Sequence, residues 1–222
     1  MQSPRSGEAA GGLPLLYVDD ALLVLDKPAG LLAVPGRGAN KQDCLSTRAQ
    51  RHYPDALIVH RLDMATSGVM VMARGAAAQR ALSLAFANRA VGKRYLAVVD
   101  GQAPAPPEGW GEIDLPISVD WPNRPRRVID HQLGKPSVTR WRVLSYNAAE
   151  QTTRLELEPV TGRSHQLRVH LQALGHAIVG DALYGCPRIQ ALAQRLLLHA
   201  CSLELRHPVN DQALRFVSAA RF

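Results

Sequence analysis

The chain has 222 residues, 46% of them hydrophobic and 20% charged, which suits a globular protein and excludes wholesale disorder. Its 26 Lys and Arg against 19 Asp and Glu leave a formal charge of +7 and a pI near 9.8. That balance points to a polyanionic partner, most often nucleic acid, although a merely basic surface would produce it too. The longest apolar runs, Ala21–Leu25 and Val69–Ala73, are too short to cross a bilayer, and no signal-peptide pattern opens the chain. Cys44, Cys186 and Cys201 lie too far apart for a disulfide framework or a CxxC zinc site, which fits a reducing cytoplasm.

In chain order, residues 1–13 are rich in Ser, Gly, Ala and Pro without periodicity and read as a disordered leader. Leu15–Val18 and Ala21–Leu25 around Asp19-Asp20 predict a β-hairpin, ended by Lys27-Pro28-Ala29-Gly30. Asp43 is placed to cap a helix that Pro54 stops after Tyr53. Gly68–Ala73 reads as a strand buried on both faces, followed by a helix over Ala76–Arg89 and a strand over Tyr95–Val99. Gln102–Gly111, with three prolines and two glycines, is the expected linker and midpoint of the chain. Strands are expected at Ser137–Ser145 and Thr152–Pro159, partly alternating as in half-exposed antiparallel sheet. A helix over Ser164–Leu174 presents Leu167, Leu171 and Leu174 as its stripe, with Arg168 and Gln172 off it and Gly175 closing it. Strands at Leu196–Leu205 and Ala213–Val217 finish the chain. The total is an α+β protein with a mixed, mostly antiparallel sheet core in two lobes flanked by helices.

No GxxxxGK[ST] loop, GxGxxG after a strand, HExxH or GxSxG occurs, and His165 and His170 are spaced wrongly for two ligands on one helix face. Chemistry must come from ordinary side chains, with no cofactor and no metal. Three segments qualify. His60-Arg61-Leu62-Asp63-Met64-Ala65-Thr66-Ser67-Gly68 puts a carboxylate among apolar neighbours just before a buried strand, where it costs energy unless paired or hydrogen-bonded. Asp63 is then either a reactive group or a turn aspartate completed by Thr66 and Ser67. Thr161–His170 opens a helix with a loop and guanidinium groups, an anion site for RNA phosphate or for the Asp63 carboxylate, or else a solvated basic face. Between 120 and 142 there are six basic and two acidic residues with two tryptophans. Arg124, Arg126 and Arg127 beside Trp121 suit unpaired RNA, with guanidinium on phosphate and ring on base, unless the tryptophans are simply core.

Together these residues resemble the RluA family of pseudouridine synthases. His60-Arg61-Leu62-Asp63 with Thr66-Ser67-Gly68 resembles its signature and Lys27-Pro28-Ala29-Gly30 its first motif. Lys93-Arg94-Tyr95 resembles its K-x-Y element, Thr161-Gly162-Arg163 with His165-Gln166-Leu167-Arg168 its arginine motif, and Leu196–Ala200 its final L-H-A element. All five occur in order over about residues 15 to 217. Asp63–Gly68 and Asp120–Pro125 are similar to the family's dual-specificity branch, which implies stem-loops of tRNA, at the anticodon, and of 23S ribosomal RNA as partners.

The resemblance implies the pseudouridine synthase fold, with a catalytic cleft between its lobes and one catalytic domain over residues 14–222 without an S4 domain. It further implies cleavage of the N1–C1′ bond of a uridine, rotation of the base and reattachment through C5. Asp63 then acts as nucleophile or base, Arg163 keeps that carboxylate charged, and Tyr95 packs on the uracil and helps remove the C5 proton. Arg61 takes the place of the flipped nucleotide, Leu197 and Leu198 wall the pocket, and His60, Thr66, His165 and Arg168 join the substrate-binding set. No membrane and no protein partner are expected, and a monomer is the default. Two other readings stay open: a non-catalytic RNA-binding protein on the same scaffold, and a nuclease using His60 or His165 as general acid–base.

Overall fold

The computed structural model describes residues 13–222. In chain order the elements are β1 (Leu15–Val18), β2 (Leu22–Lys27), α1 (Leu45–Gln50), β3 (Ala56–Ile58), β4 (Ser67–Arg74), α2 (Gly75–Ala87), β5 (Gly92–Asp100) and β6 (Gly111–Asp114). There follow β7 (Ile117–Val119), β8 (Arg127–Ile129), β9 (Val138–Asn147), β10 (Thr152–Pro159), α3 (Gln166–Ala173), α4 (Pro187–Ala191), β11 (Leu198–Arg206) and β12 (Ala213–Val217). The chain divides into two units, one running up to Lys93 and including Ala200–Arg221, the other Arg94–His199 with Phe222. Among the described residues no helix is long and apolar enough to cross a membrane.

In the first unit the strand order is β1-β2-β4-β11, with β3 on β4 and β12 on β11. β2 and β4 are apolar at nearly every position because both of their faces are covered, and Leu22–Leu25 and Val69–Ala73 are almost wholly buried. α2 lays Ala78 and Leu82 on one of those faces, completed by Leu203, Leu205 and the half-buried Phe86. The β1–β2 turn is built on Asp19, whose carboxylate accepts the amides of Ala21 and Leu22 at 2.8 and 2.7 Å, the Tyr17 hydroxyl at 2.6 Å and His207 Nε2 at 3.0 Å. The β11–β12 turn is thereby held to the β1–β2 turn.

In the second unit the order is β5-β10-β9-β6, with β7 and β8 forming a separate hairpin. Side chains alternate across it: Ala97, Val99, Leu155, Leu157, Thr139 and Trp141 are buried, whereas Arg94, Arg140 and Arg142 pair with Glu156 and Glu158 on the opposite face. Three guanidinium groups from that face, Arg94, Arg140 and Arg142, lie 4.9 to 5.3 Å from the Trp110 ring.

Four expectations change. Of the expected leader, residues 1–12 lie outside the described residues, while Leu13 is buried and its carbonyl accepts the Leu15 amide at 2.8 Å. Residues 102–111 do not divide the molecule, since both flanks belong to the second unit; Ala103 N–H is tied to Thr153 Oγ1 at 3.0 Å, and the unit boundaries fall within β5 and β11. Helix α1 is capped by Cys44 rather than Asp43, which instead meets Arg48 on the surface at 2.6 Å. Helix α3 is shorter than its leucine stripe suggested and buries Gln166, Arg168 and His170 as well as leucines, because each polar side chain there has a dedicated partner.

Candidate active site

Asp63 sits in the turn between β3 and β4, half-buried, between buried Leu62 and buried Thr66. Its own carbonyl accepts the Thr66 amide at 3.1 Å. The next carbonyl, that of Met64, receives two donors from the Lys27–Gly30 segment: Lys27 Nζ at 3.1 Å and the Gly30 amide at 2.8 Å. Lys27 is wholly buried and also donates to the carbonyls of Pro28 and Leu31, at 2.9 and 2.7 Å, as a buried ammonium must. Two motifs far apart in sequence therefore make one fixed turn. Immediately after it, Gly68 (φ +115°) lies against the Ala200 backbone, where an added Cβ would sit 2.2 Å from the Ala200 oxygen. Only glycine fits there, by conformation and by space.

Arg61 is exposed beside that turn. His60 is not. Its Nε2 accepts the Val71 amide at 3.0 Å and its ring stacks on Phe86 at 4.5 Å, so the proton is assigned to Nδ1. Burial, aided by the Lys93 charge, pushes its pKa down to about 3. A neutral imidazole with Nε2 committed to the backbone is a poor general acid, which counts against a His60-based nuclease.

In the second unit Tyr95 lies on β5 opposite Leu157 of β10, on the same side of the strand as buried Ala97 and Val99. The Val98 amide donates to the Leu197 carbonyl at 3.1 Å, so Leu197, half-buried, and Leu198, buried, follow β5.

Arg163 is exposed on a loop that a polar network shapes. Gln166 Oε1 accepts the Thr161 hydroxyl at 2.7 Å and the Arg163 amide at 3.0 Å, while Gln166 Nε2 donates to the Val138 carbonyl and Thr139 Oγ1. His170 Nε2 faces the Leu115 carbonyl at 2.9 Å and Nδ1 faces Thr139 Oγ1 at 2.9 Å; burial lowers its pKa. Satisfied throughout, such a network holds a loop more firmly than its separate bonds would.

Arg168, expected among the substrate-binding residues, is buried, its guanidinium bidentate on Asp181 at 2.7 and 2.8 Å. Asp181 and Tyr184 were missed by sequence reading; the only available signal was the invitation of a buried arginine to find an acid nearby. His165 adopts a left-handed backbone (φ 59°) ahead of α3, with Nδ1 2.7 Å from the Tyr184 hydroxyl.

The tryptophans divide. Trp141 is core, whereas Trp121 is 66% exposed, with the Arg124 guanidinium 4.8 Å over its ring. Asp120 fixes that loop by accepting the Asn123 side-chain amide at 3.0 Å. Arg124 is exposed, and Arg126 and Arg127 are half-buried at the base of β8. Among the described residues no group of three or more His, Cys, Asp or Glu is placed to hold a metal ion.

A family profile described as RNA pseudouridylate synthase matches residues 21–173, the span that includes the Lys27–Gly30 segment, the Asp63 turn, Tyr95 and the Arg163 loop. The chain belongs to that family. It is 50% identical over 210 residues to the dual-specificity RNA pseudouridine synthase RluA of Escherichia coli K12, covering 95% of this chain and 94% of that protein. Among solved structures it is similar to human RNA pseudouridylate synthase domain containing 1, with a TM-score of 0.76 and 29% identity over 98% of this chain and 86% of that one. The corresponding figures for human RNA pseudouridylate synthase domain containing 4 are 0.69, 27%, 93% and 88%. The chain is an RNA pseudouridine synthase: it isomerises uridine in RNA.

Proposed function

We propose that the substrates are the anticodon stem-loop of tRNA and a stem-loop of 23S ribosomal RNA, and that the Asp63 carboxylate carries the chemistry. The observation that supports this most is the double anchorage of the Met64 carbonyl by Lys27 and Gly30, which holds the Asp63 turn rigid from behind. A reacting carboxylate gains from being held in one geometry before substrate arrives.

In this reading a uridine is flipped out of the loop, which is cheapest where the base is already unpaired. Arg61, exposed next to Asp63, fills the vacated place. Asp63 acts at the sugar as the N1–C1′ bond breaks, and the detached base turns to present C5. The C5–C1′ bond forms, C5 loses its proton with help from Tyr95, and N1 gains one, so the reaction is balanced without redox or energy input. Arg163 has the charge-compensating role that keeps the carboxylate ionised. Leu197 and Leu198 supply apolar wall, Thr66 and His165 polar contacts, and His60 buttresses the turn from inside. Trp121 stacks an unpaired base while Arg124, Arg126 and Arg127 hold phosphates. The protein acts as a monomer in the cytoplasm, where its free cysteines remain reduced.

The test is tritium release from 5-tritiated uridine in separate tRNA and 23S rRNA transcripts. The wild-type chain should release tritium from both. Asp63→Asn should bind RNA with unchanged affinity and release none; appreciable release by that variant overturns the assignment. Binding without release by the wild type would instead mark a non-catalytic RNA-binding protein.

A further inference from the structure

We propose that Tyr184 is a positioning residue. It sets the basic β7–β8 arm against the loop that carries Arg163 and His165, and so determines where RNA held by the arm lies relative to that loop. The inference rests on the pseudouridine-synthase reading and deepens it.

The hydroxyl of Tyr184 joins two segments that both bear on RNA. It accepts the Arg127 amide at 2.8 Å, at the base of the arm, and lies 2.7 Å from His165 Nδ1, two residues beyond Arg163. The ring is buried in a small cluster with Ile117 of β7 and Val169 of α3, so the hydroxyl has little freedom. The residue's backbone is pinned as well: its amide and that of Leu183 both donate to Asp181 Oδ1, at 3.1 and 2.9 Å, and Asp181 is itself locked to Arg168. The guanidinium of Arg126 lies 5.6 Å from the centroid of the same ring. His165 meanwhile holds a left-handed backbone that a non-glycine residue keeps only where its surroundings impose it. One side chain thus touches the strand end that projects the arginines and the strained residue beside the catalytic loop.

A tyrosine that served the core alone would be replaceable by phenylalanine with no effect on RNA. The geometry points to the hydroxyl instead. Tyr184→Phe keeps the ring, its packing and the stacked guanidinium, and removes both hydrogen bonds. The variant should fold, raise KM for the anticodon stem-loop by about tenfold, and change kcat much less. It should also reduce the salt slope of RNA affinity by about 0.7, because one arm contact to an unpaired strand's phosphate is lost. Arg126→Ala should raise KM in the wild-type background and add little in Tyr184→Phe, since the arm is already displaced. As a control, Leu183→Ala weakens the same cluster without touching either hydrogen bond; it should lower the melting temperature and leave KM and salt slope unchanged.

A folded Tyr184→Phe with wild-type KM and salt slope overturns the proposal, as does full additivity with Arg126→Ala. If the wild-type chain released no tritium, the function assigned above would fall. The salt slopes of RNA affinity would still decide the role of Tyr184.

Discussion

At the scale of single residues, the histidines show how far a motif is from a role. His60 heads the segment that contains Asp63, and its position in sequence suits RNA contact or proton transfer. Its surroundings oppose proton transfer: the Val71 amide requires an unprotonated Nε2, and burial with the Lys93 charge lowers its pKa to about 3. His170 is lowered in the same direction by burial. A histidine held neutral in the fold must take up a proton to match the unfolded chain in acid. Its contribution is therefore complete above the unfolded value near 6.5 and is lost as pH falls toward the folded value. Each such group should tilt unfolding free energy by about 1.4 kcal/mol per pH unit in that window. Urea titrations between pH 7 and pH 4 should show this decline, and His60→Gln should flatten it; an identical slope in the variant would contradict the assignment.

At the scale of elements, α3 is the instructive case. Its leucines promise an amphipathic surface helix, yet the helix is buried around most of its circumference from Gln166 to Leu171. Periodicity reports which residues are apolar, whereas burial of the others depends on partners supplied by distant strands and loops. Thr139 meets Gln166 and His170, and Asp181 meets Arg168. The Arg168–Asp181 pair is 5% and 0% exposed, where removing one charge strands the other. Asp181→Ala should cost about 3–5 kcal/mol in chemical denaturation, and the double variant Arg168→Met with Asp181→Leu should recover much of that loss. Recovery would show that the pair serves the fold rather than the RNA.

At the scale of the whole molecule, the charge of +7 is not spread as free cations. Arg94, Arg140 and Arg142 are matched by Glu156 and Glu158, Arg168 by Asp181, and Arg74 by Asp55. The loop at 121–127 keeps arginines beside an exposed tryptophan, the place proposed above for the RNA contacts. Replacing Arg124 and Arg126 together by Gln should lower the slope of log affinity against log salt by about 1.4, at about 0.7 for each contact to an unpaired strand. Replacing Arg140 and Arg142, which already have carboxylate partners, should leave that slope unchanged.

By itself, the amino-acid order determined the α+β class, most strands to within a residue or two, and the five segments that mark the family. Those features arise from local patterning, turn chemistry and residue identity, all of which are properties of neighbours along the chain. Only the tertiary structure decided that Lys27 and Gly30 grip the Met64 carbonyl, that Gly68 has no room for a side chain beside Ala200, and that Arg168 faces inward to Asp181 while Arg163 stays exposed. Burial, pairing and the direction of a hydrogen bond depend on which distant segments arrive at the same place, and no spacing in the chain encodes that meeting directly.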